Sequence, residues 1–103
     1  LVGPKLINDG LAVFEKMMPG YLSVLESNLT ARDQKRVVEE GHKIKGAAGS
    51  IGLRRLQQLG QQIQSPDLPA WWDNVGDWVE EMKQEWQQDV EVLKAWVANA
   101  EKK

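Results

Sequence analysis

The chain has a single histidine, His42, set in the run Gly41-His42-Lys43-Ile44-Lys45-Gly46-Ala47-Ala48-Gly49-Ser50. Neutral imidazole is a competent nucleophile near pH 7, because its unperturbed pKa is about 6.5. Lys43 and Lys45 place positive charge beside it, which suits attack on an activated phosphoryl group whose oxygens need neutralising during transfer. Projected at about 100° per residue, Val37, Gly41, Ile44, Ala48 and Ile51 form an apolar stripe, and His42 lies about 140° from its centre. The ring should therefore point outward. Gly46 and Gly49 fall within about 40° of the His42 direction. A glycine inside a helix costs roughly 1 kcal/mol relative to alanine, so three in nine residues require a reason, and access for a partner's backbone is one. The competing interpretation is an incidental, solvated histidine whose glycines serve helix packing. The coincidence of Gly46, Gly49 and Lys45 on one side weighs against it.

Composition removes most other chemistry. The chain has 103 residues, enough for one small domain, with 42% apolar residues and five Trp to build a core. Without cysteine there is no disulfide, thiolate nucleophile or thiolate metal site, and one histidine excludes multi-histidine zinc constellations, so no metal site is expected. The sequence lacks a Gly-x-x-x-x-Gly-Lys-Ser/Thr phosphate loop, a serine elbow and paired carboxylates beside the histidine. No apolar run approaches the roughly 18 residues of a membrane span, and the start is not a signal peptide. The chain opens at Leu1 almost directly into helical pattern, which suggests a piece of a longer chain.

The net charge of −2 is unevenly spread. Residues 1–64 carry nine Lys/Arg and six Asp/Glu, whereas 65–103 carry four and nine. Between Ala31 and Arg55 seven basic residues face three acidic ones, a local excess of +4 around the histidine. A nucleic-acid reader would show a stronger basic stripe or aromatic stacking platforms. An acidic protein surface suits this charge better, and association with it should weaken with salt.

Four helices must position these residues. The first is expected from about Pro4 to Ser27, with Leu6, Leu11, Phe14, Met18, Tyr21, Leu25 and Leu29 inward and a kink or split near Pro19. The second opens with Thr30 as N-cap and Asp33 three residues on, and ends at Gly49 to Gly52. The third, about Leu53 to Gln64, turns Leu53, Leu56, Leu59, Gly60 and Ile63 inward and forms a tight hairpin with the second. After the loop Ser65 to Pro69, Ala70 to about Asn99 reads as one long helix with Val75, Val79, Met82, Trp86, Val90, Leu93 and Val97 in a stripe. Trp71, Trp72, Trp78 and Trp96 flank that stripe, and most of them are expected to pack in the core. The fold class is all-α, an antiparallel up-down four-helix bundle.

The run His42 to Leu53, followed by Leu56 and Leu59, resembles the signature of histidine-containing phosphotransfer (HPt) domains, in which His-x-Leu/Ile-Lys-Gly-small-small opens a two-helix segment of a four-helix bundle. The similarity covers nearly the whole chain, including Gly3 to Ile7, Phe14 to Gly20 and Gln61 to Ala70, and extends to HPt domains at the C-terminus of hybrid sensor kinases. It implies that His42 accepts and donates a phosphoryl group, through Nε2. Lys45 would contact that group or the partner's acidic pocket, and Gly46 would clear the way. Gln64 would bond the other imidazole nitrogen; its place on the polar flank of the third helix, about 100° from the apolar centre, is compatible with that. Lys43 would be a rim charge. The implied partners are receiver domains of a hybrid sensor kinase and of a response regulator, with no nucleic acid and no direct membrane contact. Mg²⁺ would belong to the receiver, leaving this domain a cytoplasmic phosphoryl carrier with no cofactor or kinase site of its own, in a parent kinase anchored in the inner membrane. Such domains carry a further short N-terminal helix, so the first helix here is expected to expose apolar surface. Two rival readings remain: a helical adaptor that passes no phosphate and binds through an apolar patch around Tyr21 or Trp71, and a small catalytic bundle, which one histidine supports poorly.

Overall fold

The apolar spacings place four helices, and the computed structural model describes them over residues 4–101: α1 (Pro4–Thr30), α2 (Gln34–Ser50), α3 (Arg54–Ile63) and α4 (Trp71–Glu101). Residues 1–3, including Gly3 of the Gly3 to Ile7 segment, lie outside the described residues. Among the described residues there is no strand, and no helix is long and apolar enough to cross a membrane. Each helix packs on two neighbours, α1 on α2 and α4, α3 on α2 and α4, so diagonal pairs do not meet. The molecule is elongated, 48 × 23 × 21 Å, because α4 runs far beyond the short α3.

The core follows the 3.6-residue period. Leu11, Phe14, Met18, Leu22 and Leu25 of α1 are buried, as are Val37, Ile44 and Ala48 of α2, Leu56, Leu59 and Ile63 of α3, and Val75, Val79, Met82, Trp86, Val90 and Val97 of α4. Phe14 meets Trp86 edge-on with ring centroids 6.3 Å apart. Trp71 is buried and its indole N–H donates to the carbonyls of Gln62 and Ile63, both at 3.1 Å, so the start of α4 is tied to the end of α3. That burial removes Trp71 as an exposed adaptor contact. Trp72 and Trp78 are half-buried against the core and Trp96 is exposed.

Local expectations fail where one feature competes with another. Asp33, and not Thr30, caps α2: its carboxylate accepts from the Arg36 N–H at 3.2 Å, whereas the Thr30 hydroxyl donates to the Glu26 carbonyl inside the last turn of α1. Pro19 does not split α1, which runs unbroken through it. The residue is exposed, so the missing donor leaves the Glu15 carbonyl to a side of the helix that solvent can reach. Leu6, expected inward, is 61% exposed, as are Val13, Met17 and Val24 to varying degrees, which leaves apolar surface on α1.

Candidate functional site

Two glycines decide how closely α2 and α3 approach. A Cβ on Gly60 would lie 2.8 Å from the Lys45 nitrogen and 3.0 Å from the Gly41 carbonyl oxygen, and one on Gly41 would lie 2.6 Å from Ile63 Cγ2 and 3.1 Å from the Gln64 nitrogen. Backbone therefore rests on backbone at this crossing. The contact falls one residue before His42 on α2 and at the C-terminal end of α3, and it carries Gln64, the residue that caps α3, to the imidazole. The tight turn between the helices supports it: Gly52 takes φ +81°, and the Leu53 N–H bonds the Ala48 carbonyl at 2.9 Å.

His42 is exposed, and its Nδ1 lies 2.9 Å from Gln64 Oε1. A carbonyl oxygen only accepts, so Nδ1 carries the proton and donates. Nε2 is left with its lone pair directed away from Gln64. Val38, Glu39, Lys43 and Gln64 border the open concavity of about 490 Å³ beside the ring. One turn along α2, a Cβ on Gly46 would meet nothing within 4 Å. The wall on that side of the ring is bare backbone. Gly49 is different: a Cβ there would meet the Gln57 side chain at 3.0 Å, so its smallness serves the α2/α3 hairpin.

The basic excess around the ring is partly neutralised. Arg36 pairs with Asp33 at 3.5 Å, Arg55 with Glu81, and Lys43 with Glu40 at 3.1 Å, while the Arg32 guanidinium lies over Trp72 at 4.2 Å from the ring centroid. Lys35, Lys45 and Arg54 make no ion pair among the described residues. Of these, Lys45 stands three residues from His42, half-buried against α3. Glu40 is a residue that apolar periodicity missed. Its side chain is only 7% exposed and it holds Lys43 at the rim. The Glu40/Lys43 spacing of i, i+3 was the available signal. Among the described residues no group of three or more His, Cys, Asp or Glu could hold a metal ion.

Comparison with known proteins agrees with this geometry. Residues 9–100 match the Hpt domain family. The chain is 84% identical over all 103 residues to the aerobic respiration control sensor proteins ArcB of Escherichia coli (strain K12) and Shigella flexneri, and it spans 13% of their length. The solved histidine-containing phosphotransfer domain of ArcB from Escherichia coli superposes with a TM-score of 0.95 at 85% identity, covering 97% of this chain and 85% of that one. A solution structure of the same Escherichia coli domain gives a TM-score of 0.91 at 84% identity, covering 100% and 82%. A four-helix fold that stands a histidine out in solvent, and a family match across nearly its full length, lead to one conclusion: the chain belongs to the Hpt family of histidine-containing phosphotransfer domains.

Proposed function

We propose that this domain is the histidine stage of a phosphorelay, with His42 taking a phosphoryl group from a receiver-domain phosphoaspartate and passing it reversibly to a second receiver. The observation that carries this reading is the pairing of an exposed His42, its Nδ1 held 2.9 Å from Gln64, with the empty space beside Gly46. Nε2 attacks phosphorus in line with the aspartyl oxygen: the N–P bond forms as the P–O bond breaks, and the electron pair leaves with the carboxylate. The ring becomes cationic as the bond forms. Its Nδ1–H then donates from a charged group, and such hydrogen bonds are roughly twice as strong as neutral ones. Gln64 thus stabilises the transition state more than the ground state, which is the condition for accelerating the step.

Lys45, free of an ion pair, would neutralise the phosphoryl oxygens or meet the receiver's acidic pocket, and Gly46 would admit that pocket's backbone. Lys43, held by Glu40, would shape the rim. The Mg²⁺ that such a pocket requires would be supplied by the receiver, and this domain would act as carrier on the cytoplasmic side of a larger kinase. The adaptor reading is not favoured: residues 9–100 match the Hpt domain family, and Trp71, one of the two anchors named for it, is buried. Incubation with a phosphorylated receiver tests the proposal: acid-labile label should reach the wild type and be absent from His42→Gln. Equal labelling of both would reject it.

A further inference from the structure

Gln64 can hold the imidazole proton on Nδ1 only if its own amide is oriented correctly. A glutamine turned over would present its NH₂ to the ring and favour the opposite tautomer. The structure contains a directional chain that prevents this. The Ser65 hydroxyl donates to the Gln61 main-chain carbonyl at 2.6 Å, so its proton is committed and its oxygen faces outward as an acceptor. Gln61 Nε2 donates to that oxygen at 3.2 Å, which turns Gln61 Oε1 toward Gln64. Gln64 Nε2 donates to Gln61 Oε1 at 3.4 Å, and Gln64 Oε1 is left facing His42 Nδ1. Every link has one allowed sense, because the far end is a backbone carbonyl that can only accept.

We infer that Gln61 and Ser65 are positioning residues for His42: they act through Gln64 to keep the imidazole in the Nδ1–H tautomer, with the Nε2 lone pair free. Neither is hydrogen-bonded to the ring, and both are offered by local spacing, Gln61 three residues before Gln64 and Ser65 four residues after Gln61. Gln61 is exposed and lies outside the buried face of α3 formed by Leu56, Leu59, Gly60 and Ile63, so core packing does not account for its identity. The role rests on the proposed use of Nε2, but the tautomer is measurable without any transfer.

The test uses the domain itself, with imidazole ¹⁵N shifts and the rate of transfer from a phosphorylated receiver measured side by side. Gln61→Leu removes both links and should move the ¹⁵N shifts toward a mixture of tautomers while slowing transfer about fivefold, the worth of one net hydrogen bond. Gln61→Glu keeps an acceptor for Gln64 Nε2 and should restore both readouts. Helical circular dichroism should be unchanged in each. Wild-type ¹⁵N shifts in Gln61→Leu would overturn the inference, as would slowed transfer that Gln61→Glu fails to rescue. A wild type that shows the Nδ1–H tautomer but accepts no label would instead refute the phosphorelay reading and leave the positioning role intact.

Discussion

Gly46 is the position where fold and function pull in opposite directions, and its replacement separates them. The residue is exposed within α2, and a Cβ there would touch nothing within 4 Å. Alanine should therefore relieve the helix of glycine's conformational freedom without any clash, a gain of about 1 kcal/mol. For a domain of this size that raises Tm by roughly 4–8 °C. The Gly46→Gln variant would keep part of the gain, since glutamine is also a good helix former. Transfer should move the other way. The new side chain projects on the His42 side, where the receiver's backbone must close to within reach of Nε2, and displacement of about 1 Å from a near-attack geometry costs on the order of 100-fold in rate. Gly46→Gln should thus be more stable and about 100-fold slower, with Gly46→Ala intermediate in rate. Thermal melts by circular dichroism and single-turnover transfer from a phosphorylated receiver measure the two effects independently. A less stable Gly46→Gln would contradict the open environment, and wild-type transfer by it would remove the reason for a glycine there.

Two further perturbations probe the scaffold. Gly60→Ala places a Cβ 2.8 Å from the Lys45 nitrogen, an immovable backbone neighbour, so α3 must retreat from α2 before the contact becomes ordinary; stability should fall by about 1–3 kcal/mol in urea titrations, with the His42 ¹⁵N signature of the Gln64 bond weakened. Asp89 has a buried Oδ2 without a partner, and burial raises its pKa above the usual carboxylate range while nearby Arg55 works against the shift. A carboxyl group with a raised folded-state pKa binds more protons folded than unfolded, so its contribution to stability falls as pH rises through and above the usual carboxylate range. Asp89→Asn should accordingly raise Tm relative to wild type at about pH 7, and the difference should shrink toward about pH 3; a difference that grows on acidification would reverse the assigned cause.

Much of this architecture is legible in residue spacing because burial on a helix imposes a period that few competing forces disturb. The stripes through Leu56, Leu59 and Ile63 or through Val75, Val79 and Met82 return as buried faces, and the offset of His42 by about 140° returns as exposure. For Gln64 the projection gives only a polar flank of α3; its pairing with the imidazole is what the family resemblance implies, and the structure places its Oε1 2.9 Å from His42 Nδ1. What periodicity missed involves competition between local groups. Thr30 and Asp33 could each cap α2, and the choice depends on how far α1 extends, which Thr30 itself helps settle by bonding back to Glu26. Gly46 and Gly49 look alike in projection, yet one meets solvent and the other the Gln57 side chain, a difference that belongs to α3. Glu40 is polar and buried, so a reading that equates charge with exposure passes over it.

On the proposed mechanism, chemistry occurs at one nitrogen of one ring while the other is held. Phosphorus and ¹⁵N NMR of the domain after loading from a phosphorylated receiver addresses it directly. Phosphorus coupled to Nε2 of His42, with a proton retained on Nδ1, is the expected spectrum. Phosphorylation at Nδ1, or at any residue other than His42, would contradict that mechanism.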